Sequence, residues 1–326
     1  MTATRVIALP DGREVTQITL RNGPMRAEVL TLGAIVQGLW IEGVAHSVIL
    51  GCPDIAHYLG KARYFGAIVG RVANRIGGGR FMLDGQEHRT DRNFLGKHTL
   101  HGGDDGADIQ IWQIGELSES CATLTLSLPD GHMGFPGRMD MAARISLASD
   151  GIAFDLTARS DAATPCSLTH HGLFDLDGAG DIRNHRLWID AEHYLPIDDE
   201  LIPTGDIAPV AGTGFDFRAA RPIGDTGLDH NFCLSDASQP LRRVAELTGA
   251  SGLKMTIETT ACGLQLYDGA YIDDLPGHDG HQYGAHAGVA LEAQEWPDAV
   301  NRPAFPTCIL LPGETYSSST RYVFGR

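Results

Sequence analysis

Alternating apolar and polar residues recur along the chain in short segments, and they predict β-strands rather than helices. The two clearest segments are CATLTLSLP (121–129) and GIAFDLTARS (151–160), in which every second side chain is apolar. Successive side chains of a strand point to opposite faces, so each segment buries one face and exposes the other. The pattern therefore indicates half-buried strands.

Turn-forming residue pairs separate the apolar segments at short intervals. Aspartate and proline favour tight turns and glycine tolerates a positive φ, so such pairs predict antiparallel hairpins. Three pairs each lie between two apolar segments: Asp84-Gly85, Asp150-Gly151 and Pro312-Gly313. The second of them has the strongest alternation on both sides and is the clearest hairpin.

Helical periodicity is nearly absent. The best candidate helix is DIAHYLGKARYF (54–65), with Asp54 as its N-cap residue. No shift in composition, low-complexity stretch, linker or repeat divides the chain. The sequence therefore predicts an all-β fold, a large antiparallel β-sandwich that forms a single domain over residues 1–326.

Composition and charge exclude several classes of partner. The 326 residues include 40 glycines, as a chain with many turns requires, and carry a formal net charge of −16. Nucleic acids and anionic membranes attract basic patches, yet no run of Lys or Arg occurs. No segment reaches the roughly 18 apolar residues that span a bilayer, and the N-terminus does not resemble a secretory signal. We expect a neutral ligand, with no nucleic-acid or membrane partner.

The cysteines indicate a reducing compartment. They lie far apart in the sequence, without a CxxC pair or a short-spaced framework, so free structural thiols are expected. We therefore expect a cytoplasmic location. The six residues are Cys52, Cys121, Cys166, Cys233, Cys262 and Cys308.

Motifs of several common enzyme classes are missing from the sequence. The chain has no GxxxxGK phosphate loop, no GxSxG nucleophile turn and no HExxH zinc helix. His278, His281 and His286 fall in a glycine-rich stretch, where no regular element would make them converge on a metal. We expect neither a metal nor an organic cofactor.

Two adjacent histidines follow an alternating segment in LTHHGLFDL (168–176). Because side chains alternate along a strand, His170 and His171 should point in opposite directions. Only one of them can then serve a given site. The segment alone also fits one solvent-facing histidine and one hydrogen-bonded core histidine.

A carboxylate and an amide lie inside the apolar segment GVALEAQEWPD (288–298), where Glu292 and Gln294 share one face. A buried carboxylate must be paired or shifted in pKa, and this is the condition that prepares a general base. A charge on an edge strand is the alternative interpretation.

Further polar residues follow apolar segments at three places. Arg71 and Arg75 lie in GAIVGRVANRI (66–76), His101 in HTLHGGDDG (98–106) and Asp229 in GLDHNF (227–232). Arginine offers planar donors, and aspartate offers acceptors for sugar hydroxyl groups. Each residue taken alone also fits an ordinary surface or turn position.

Taken together, these segments resemble one known family. GAIVGRVANRI, LHGG, LTHHGLFDL, GLDHNF and LEAQEWPDAVN follow the order and approximate spacing of the aldose 1-epimerase (galactose mutarotase) family. The likeness covers nearly the whole chain. Its specificity lies in the combination, because five motifs in order are far rarer by chance than any one of them.

The resemblance implies a galactose mutarotase-like supersandwich with a sugar cleft, and an enzyme that interconverts the α and β anomers of a free aldose. The matching motifs make His171 the general acid and Glu292 the general base, while Arg71, His101 and Asp229 bind the sugar. Free imidazole is mostly unprotonated at neutral pH. We therefore expect nearby carboxylates, Glu292 or Asp229, to favour protonated His171.

The sequence departs from the family pattern at several positions and leaves other functions open. His170 replaces the usual asparagine, and the usual YFNL that follows reads LFDL (173–176). Leu266 and Ala270 stand where phenylalanine and asparagine are common, and these changes leave the preferred sugar open. A carbohydrate-binding or regulatory protein on the same fold, a glycoside hydrolase using Asp229 and Glu292, and a cupin-like metalloenzyme are the alternatives. We expect a monosaccharide substrate and a monomer or weak dimer.

Overall fold

The computed structural model describes residues 3–326, apart from the side chain of Asp279, and it is built mainly of β-strands and turns. Short 3-10 helices join some of the strands, and no α-helix occurs in this part of the chain. The all-β prediction is confirmed.

Short strands make up most of the regular structure, and they are numbered in chain order. The strands are β1 (Ala3–Ala8), β2 (Glu14–Asn22), β3 (Met25–Leu30), β4 (Val36–Ile41), β5 (Ile68–Val69), β6 (Arg75–Ile76), β7 (Arg80–Leu83), β8 (Gln86–Arg89), β9 (Thr99–Leu100), β10 (Gln113–Leu117), β11 (Cys121–Leu128), β12 (Met139–Ala148), β13 (Gly151–Ser160), β14 (Thr164–Pro165), β15 (Thr169–His170), β16 (Leu173–Phe174), β17 (Arg186–Ile189), β18 (His193–Tyr194), β19 (Ala208–Pro209), β20 (Arg221–Pro222), β21 (Asp229–Cys233), β22 (Arg242–Thr248), β23 (Lys254–Thr259), β24 (Gly263–Tyr267), β25 (Leu275–Pro276), β26 (Gln282–Tyr283), β27 (Val289–Gln294), β28 (Ile309–Leu310) and β29 (Tyr316–Gly325). The 3-10 helices are Ile55–Leu59, Gly77–Gly79, Ala107–Ile109, His132–Gly134, His278–Gly280 and Ala299–Asn301.

Three antiparallel sheets form the body of the fold. The first has the order β1-β2-β3-β4, the second β10-β11-β12-β13-β29-β23-β22-β17-β20, and the third β16-β27-β24-β21-β18-β19. The remaining strands form separate two-stranded pairings. We refer to the second and third as the nine-stranded and six-stranded sheets.

The nine-stranded and six-stranded sheets pack against each other. One continuous apolar cluster contains Leu124 and Phe154 from the nine-stranded sheet and Phe232 and Leu291 from the six-stranded sheet. The Tyr322 hydroxyl of β29 also donates to the Leu291 carbonyl of β27 at 3.0 Å. The predicted antiparallel sandwich is therefore confirmed, with its core between the two large sheets.

Alternation and turn chemistry place the strands where the sequence predicts them. Strand β12 alternates buried and more exposed residues along its whole length. Strands β12 and β13 form the predicted hairpin, with Ala148 opposite Gly151. Asp84 and Gly85 join β7 and β8 with φ angles of 50° and 77°, the positive pair that a type I′ turn requires.

The predicted helix over residues 54–65 is mostly wrong. Asp54 does act as an N-cap, since its carboxylate accepts a hydrogen bond from the Ala56 amide at 2.9 Å. The helix that follows is a short 3-10 helix, Ile55–Leu59, and turns occupy the rest of the segment. Gly60 ends it, because glycine favours departure from helical geometry.

Two further expectations concern the whole chain. None of the helices among residues 3–326 is long and apolar enough to cross a membrane. All six cysteines lie in this range and are free thiols, and all except Cys233 are buried. The expectation of free structural cysteines is confirmed.

His170 lies in the core between the two large sheets. Its ring stacks on Phe154 with centroids 3.9 Å apart, and it meets the edge of Tyr322 at 5.9 Å. Neither ring nitrogen has a hydrogen-bond partner among the described residues. Burial lowers the pKa of His170 to about 3. The neutral ring therefore fits this site, and protonation opposes folding.

We predict that His170→Phe reduces the loss of stability in acid. The pKa of His170 rises from about 3 in the folded state to its ordinary 6.5 on unfolding, so the wild type loses stability as pH falls below 6.5. Between pH 7 and pH 5 this residue removes about 2 kcal/mol from the free energy of unfolding. Denaturant titrations of both proteins at the two pH values measure the difference. Equal losses in wild type and variant would contradict it.

Candidate active site

A cleft of about 510 Å³ opens over one face of the six-stranded sheet. Charged and aromatic side chains from distant parts of the sequence converge on it. Its lining includes Arg63, Tyr64, Asn74, Arg75, Phe94, His101, His171, Asp229, Tyr267, Tyr271 and Glu292. Four of the five residues that the family resemblance singles out are therefore together in this cleft.

A larger groove of about 680 Å³ lies on the nine-stranded sheet. Hydroxyl, amide and apolar side chains form most of its lining, and Asp140 and Arg159 are its charged residues. Both are exposed, and no histidine is among the described residues that line the groove. Acid–base chemistry needs convergent titratable groups, so the smaller cleft is the candidate active site.

The register of the six-stranded sheet places the polar groups on a single face. Glu292 of β27 lies opposite Gln265 of β24, and Gln265 lies opposite Asn231 of β21. Register partners share a face, and Asp229 shares it with Asn231 two residues away. The intervening residues, such as Leu291, belong to the apolar core on the other face. Strand β27 has neighbours on both sides, so the edge-strand interpretation of Glu292 is wrong.

His171 follows β15 and points into the cleft, whereas His170 points into the core. The His171 amide donates to the Ala67 carbonyl, and its carbonyl accepts from the Gly66 amide, both at 2.8 Å. These two backbone bonds fix the residue beside the sheet. The predicted opposite directions of the two histidines are confirmed. The Nε2 atom of His171 lies 3.7 Å from Glu292 Oε1.

His101 is held as a neutral hydrogen-bond donor. Its Nδ1 accepts a hydrogen bond from the Asn74 amide at 3.1 Å, so the proton of the neutral ring resides on Nε2. Burial and the nearby His171 hold the pKa of His101 well below 6.5. Its ring meets the His171 ring nearly at right angles, with centroids 5.2 Å apart, and Tyr64 packs against it at 4.7 Å.

Burial shifts the pKa values of the two central groups in opposite directions. It raises the pKa of Glu292 to about 8, with a further contribution from Asp229, while Arg75 opposes the shift. It lowers the pKa of His171 to about 4, although Asp229 and Asp108 favour the charged ring. Asp229 therefore favours protonated His171 as expected, but desolvation outweighs this attraction, so the ring is neutral near neutral pH. Near neutral pH the pair holds one proton.

Asp229 is held by two donors at the side of the cleft. Its Oδ2 accepts from Arg75 Nη2 at 3.0 Å, and its Oδ1 accepts from Gln265 Nε2 at 2.7 Å. The Arg75 guanidinium also lies 4.6 Å from the centre of the Phe94 ring. Arg75 and Asp229 are thus fixed in place, and both line the cleft.

Arg71 does not reach the cleft, and this corrects the prediction that it contacts a sugar. Its Nη1 donates to the carbonyls of Pro136 and Gly137, and its Nη2 donates to those of Leu128 and Pro129. Arg71 is only 1% exposed and clamps the loop between β11 and β12. Arg75, four residues later, is the arginine in the cleft. The irregular chain between β5 and β6 prevents the sequence from showing which arginine faces which way.

A row of buried polar side chains continues from Glu292 into the sheet. Asn231, Gln265, Glu292 and Gln294 are all at most 2% exposed. Six of their polar atoms have no hydrogen-bond partner among the described residues. An unpartnered buried polar atom costs about 1–3 kcal/mol, and six would approach the stability of a whole domain, about 5–15 kcal/mol. These atoms therefore need polar partners in the folded protein.

Three potential metal ligands meet in the cleft, but their chemistry does not suit a metal. One ligand atom each from His101, His171 and Glu292 lies within 4.8 Å of the others. A histidine ligand needs a free lone pair, whereas the Asn74 amide occupies that of His101 Nδ1 and leaves the proton on Nε2. The prediction that no metal is required stays a prediction.

The histidines of the glycine-rich stretch do not converge on a metal site. His278 Nε2 lies 2.8 Å from the Gln37 carbonyl, and His286 Nδ1 lies 3.1 Å from the Asp268 carbonyl. Each ring is thus used to fix a different part of the backbone. In the described part of the chain these two, with His281, form no group with the spacing of a metal site.

The residues that depart from the family pattern lie in different parts of the fold. Leu266 belongs to the apolar core on the opposite face of β24, and His170 also faces the core. Neither side chain lines the cleft. The Ala270 amide donates to Asp268 Oδ1 at 3.1 Å, immediately before Tyr271 at the cleft. Leu173, the first residue of the LFDL departure, lines the cleft itself.

Comparisons with known proteins agree with this geometry. The family model described as aldose 1-epimerase matches residues 16–323. The chain is 39% identical to galactose mutarotase of Rattus norvegicus, covering 96% of this chain and 95% of that protein. It is 36% identical to aldose 1-epimerase of Escherichia coli K12, covering 97% and 96%. The crystal structure of galactose 1-epimerase from Lactobacillus acidophilus NCFM superposes with a TM-score of 0.86 at 28% identity, covering 100% and 98%.

The clamp formed by Arg71 generates a stability prediction. Arg71→Met keeps most of the volume and removes every donor, leaving four carbonyls without their partner. We expect the free energy of unfolding to fall by about 3 kcal/mol or more. Chemical denaturation measures it, with the exposed Arg138→Met as the matched control, which should change stability by about 0.5 kcal/mol at most. Equal effects of the two substitutions would show that the clamp does not stabilise the fold.

Proposed function

The chain belongs to the aldose 1-epimerase family, and we propose that it interconverts the α and β anomers of a free aldose by opening and reclosing the sugar ring. The observation that carries this proposal is the buried His171–Glu292 pair, 3.7 Å apart at the cleft, with pKa values shifted in opposite directions. Such a pair is suited to moving two protons on one bound molecule.

Ring opening requires two proton transfers on neighbouring oxygens. A base removes the proton of the anomeric hydroxyl, and an acid protonates the ring oxygen as the bond to C1 breaks. The resulting aldehyde rotates about the C1–C2 bond, and reclosure on its other face reverses both transfers. In the proposed assignment Glu292 is the base and His171 the acid during opening.

The proton count of the pair matches this cycle. Opening begins with ionised Glu292 and protonated His171, which together hold one proton. After opening, Glu292 holds a proton and His171 is neutral, so the pair again holds one. This second arrangement is also the one that burial favours in the free site, because it carries no charge on either group.

Burial also determines which arrangement of the single proton is populated. The closed-ring complex holds the same number of protons as the free site, so a low-dielectric environment favours protonated Glu292 and neutral His171 there as well. Ionised Glu292 with protonated His171 is then a minor arrangement, which forms when the proton moves from Glu292 to His171 within the pair, and ring opening starts from it. Opening returns the pair to the neutral arrangement that burial favours.

The remaining groups of the cleft are suited to orienting the sugar. His101 presents its Nε2–H as a donor, Arg75 presents a guanidinium, and Asp229 offers acceptor oxygens. A neutral aldose carries hydroxyl groups that match both donors and acceptors. Arg75 takes the role that the sequence predicted for Arg71.

The alternatives fit the cleft less well. A glycoside hydrolase that used Glu292 as its acid would need Asp229 free as the nucleophile or base, but both oxygens of Asp229 already accept hydrogen bonds from Arg75 and Gln265. A protein that only binds sugar needs no buried carboxylate beside a buried histidine. No observation favours either over the epimerase.

Three finer points belong to the same proposal. The substrate is a neutral monosaccharide, because the charged groups near the sheet face are engaged with each other rather than free for a phosphate. The six free thiols suit a reducing compartment such as the cytoplasm. The extensive core between two sheets suits a monomer or a weak dimer.

Removing the base tests the assignment. Glu292→Gln keeps the side-chain shape and should lower kcat by about 10³-fold. His171→Asn should lower it by about 10²-fold or more, whereas His101→Asn, which loses one neutral donor, should lower it by about tenfold. Polarimetry of freshly dissolved α-D-galactose and α-D-glucose, followed to equilibrium, gives the rates. Most activity remaining in Glu292→Gln, or equal losses in the two histidine variants, would reject the roles assigned.

The shared proton predicts a bell-shaped pH dependence. Below about pH 4 both groups are protonated and no base remains, and above about pH 8 both are deprotonated and no acid remains. We expect kcat/KM to be highest between these values and to fall outside them. Polarimetric rates, corrected for the uncatalysed reaction at each pH, test it. A profile that keeps rising through pH 10 would contradict the one-proton pair.

A further inference from the structure

The buried polar row behind Glu292 has donors and acceptors that the described side chains leave unpaired. The atoms are Glu292 Oε2, Gln265 Oε1, and the amide nitrogen and oxygen of both Asn231 and Gln294. Gln294 is fully buried, and neither it nor Asn231 lines the cleft. The row thus continues from Glu292 into the buried part of the sheet, away from the cleft.

Gly263 accommodates the Asn231 side chain within this row. It lies opposite Gln294 on β27 and diagonally from Asn231 on β21. A Cβ atom at this position would lie 2.5 Å from Asn231 Oδ1 and 3.0 Å from the Trp296 ring. A side chain here would therefore displace Asn231, so glycine is what allows the Asn231 amide to lie against β24 beside the other polar groups of the row.

The unpaired groups match the chemistry of water. Water donates two hydrogen bonds and accepts two, and buried water occupies polar sites that offer two to four partners. The row offers two amide donors and four acceptor oxygens, on neighbouring positions of three adjacent strands. An apolar ligand would leave all of these groups unpaired.

We propose that Asn231, Gln265 and Gln294 bind ordered water that donates a hydrogen bond to Glu292 Oε2, so that Gln294 and Asn231 act as positioning residues for the general base. The functional part of this inference rests on the proposed epimerase activity. Glu292 then uses Oε1, the oxygen nearer His171, for proton transfer and Oε2 for anchoring. A donor to Oε2 also favours the ionised carboxylate that opening requires.

The groups that face Glu292 come from several elements. They are His171 after β15, His101 after β9, Arg75 of β6, Asp229 of β21 and Tyr322 of β29. All of them remain in a variant at Gln294. A change in the titration of the pair in such a variant therefore reports the loss of the row and not the loss of a neighbouring charge.

The test combines a crystal structure of the wild type with the pH profile of Gln294→Leu. We expect ordered water within hydrogen-bond distance of Glu292 Oε2 and of at least one row amide. In the variant we expect the alkaline limb of kcat/KM to move up by about one pH unit and kcat to fall about tenfold, since the carboxyl proton is held more tightly. KM should change little, because Gln294 does not line the cleft.

Thr164→Val is the matched control. The Thr164 hydroxyl is also buried without a partner among the described residues, but it belongs to β14 and lies outside the row. An unchanged alkaline limb in Gln294→Leu, as in the control, would leave Gln294 a merely structural residue and overturn the inference. An active wild type without ordered water at the row would also overturn it. Ordered water in a wild type that does not mutarotate sugars would support the binding site and reject the proposed function.

Discussion

Desolvation of one histidine–carboxylate pair is the constraint on which the site depends. Placing His171 and Glu292 3.7 Å apart in a buried cleft disfavours every charged state of the pair, and the remaining arrangement holds a single shared proton. A reaction that moves two protons in opposite directions on one molecule returns the pair to the same count after each step. The chemistry of anomer exchange and the electrostatics of the pair therefore require the same number of protons on the pair, namely one.

The sandwich makes this burial possible, because alternating side chains give the six-stranded sheet one face that packs in the core and another that carries the site. One face of the six-stranded sheet packs against the nine-stranded sheet through Leu264, Leu266 and Leu291. The other face carries Asp229, Gln265 and Glu292 toward the cleft and its buried polar row. The apolar face holds the strands in register, and the register brings residues more than sixty positions apart into one site.

The fold and most of the site could be predicted from the sequence where the signal was periodic or family-specific. Alternation identified β11 and β13, and the opposite directions of His170 and His171 followed from it. The prediction that Arg71 rather than Arg75 contacts the sugar was wrong. Side chains do not alternate regularly between two faces in the irregular segment between β5 and β6, so the sequence does not show which arginine faces the cleft. Residues without a motif of their own, such as Tyr64 and Gln265, were missed for a related reason: only the three-dimensional register shows that they meet the site.

Infrared difference spectroscopy of the wild type against Glu292→Gln tests the central claim most directly. The carbonyl stretching band of a protonated carboxyl group, present in wild type and absent in the variant, reports the state of Glu292 alone. The shared-proton account predicts this band at pH 6 and its loss with a midpoint of about 8. A Glu292 that is already fully ionised at pH 6, titrating near the ordinary glutamate value of about 4.3, would contradict the account.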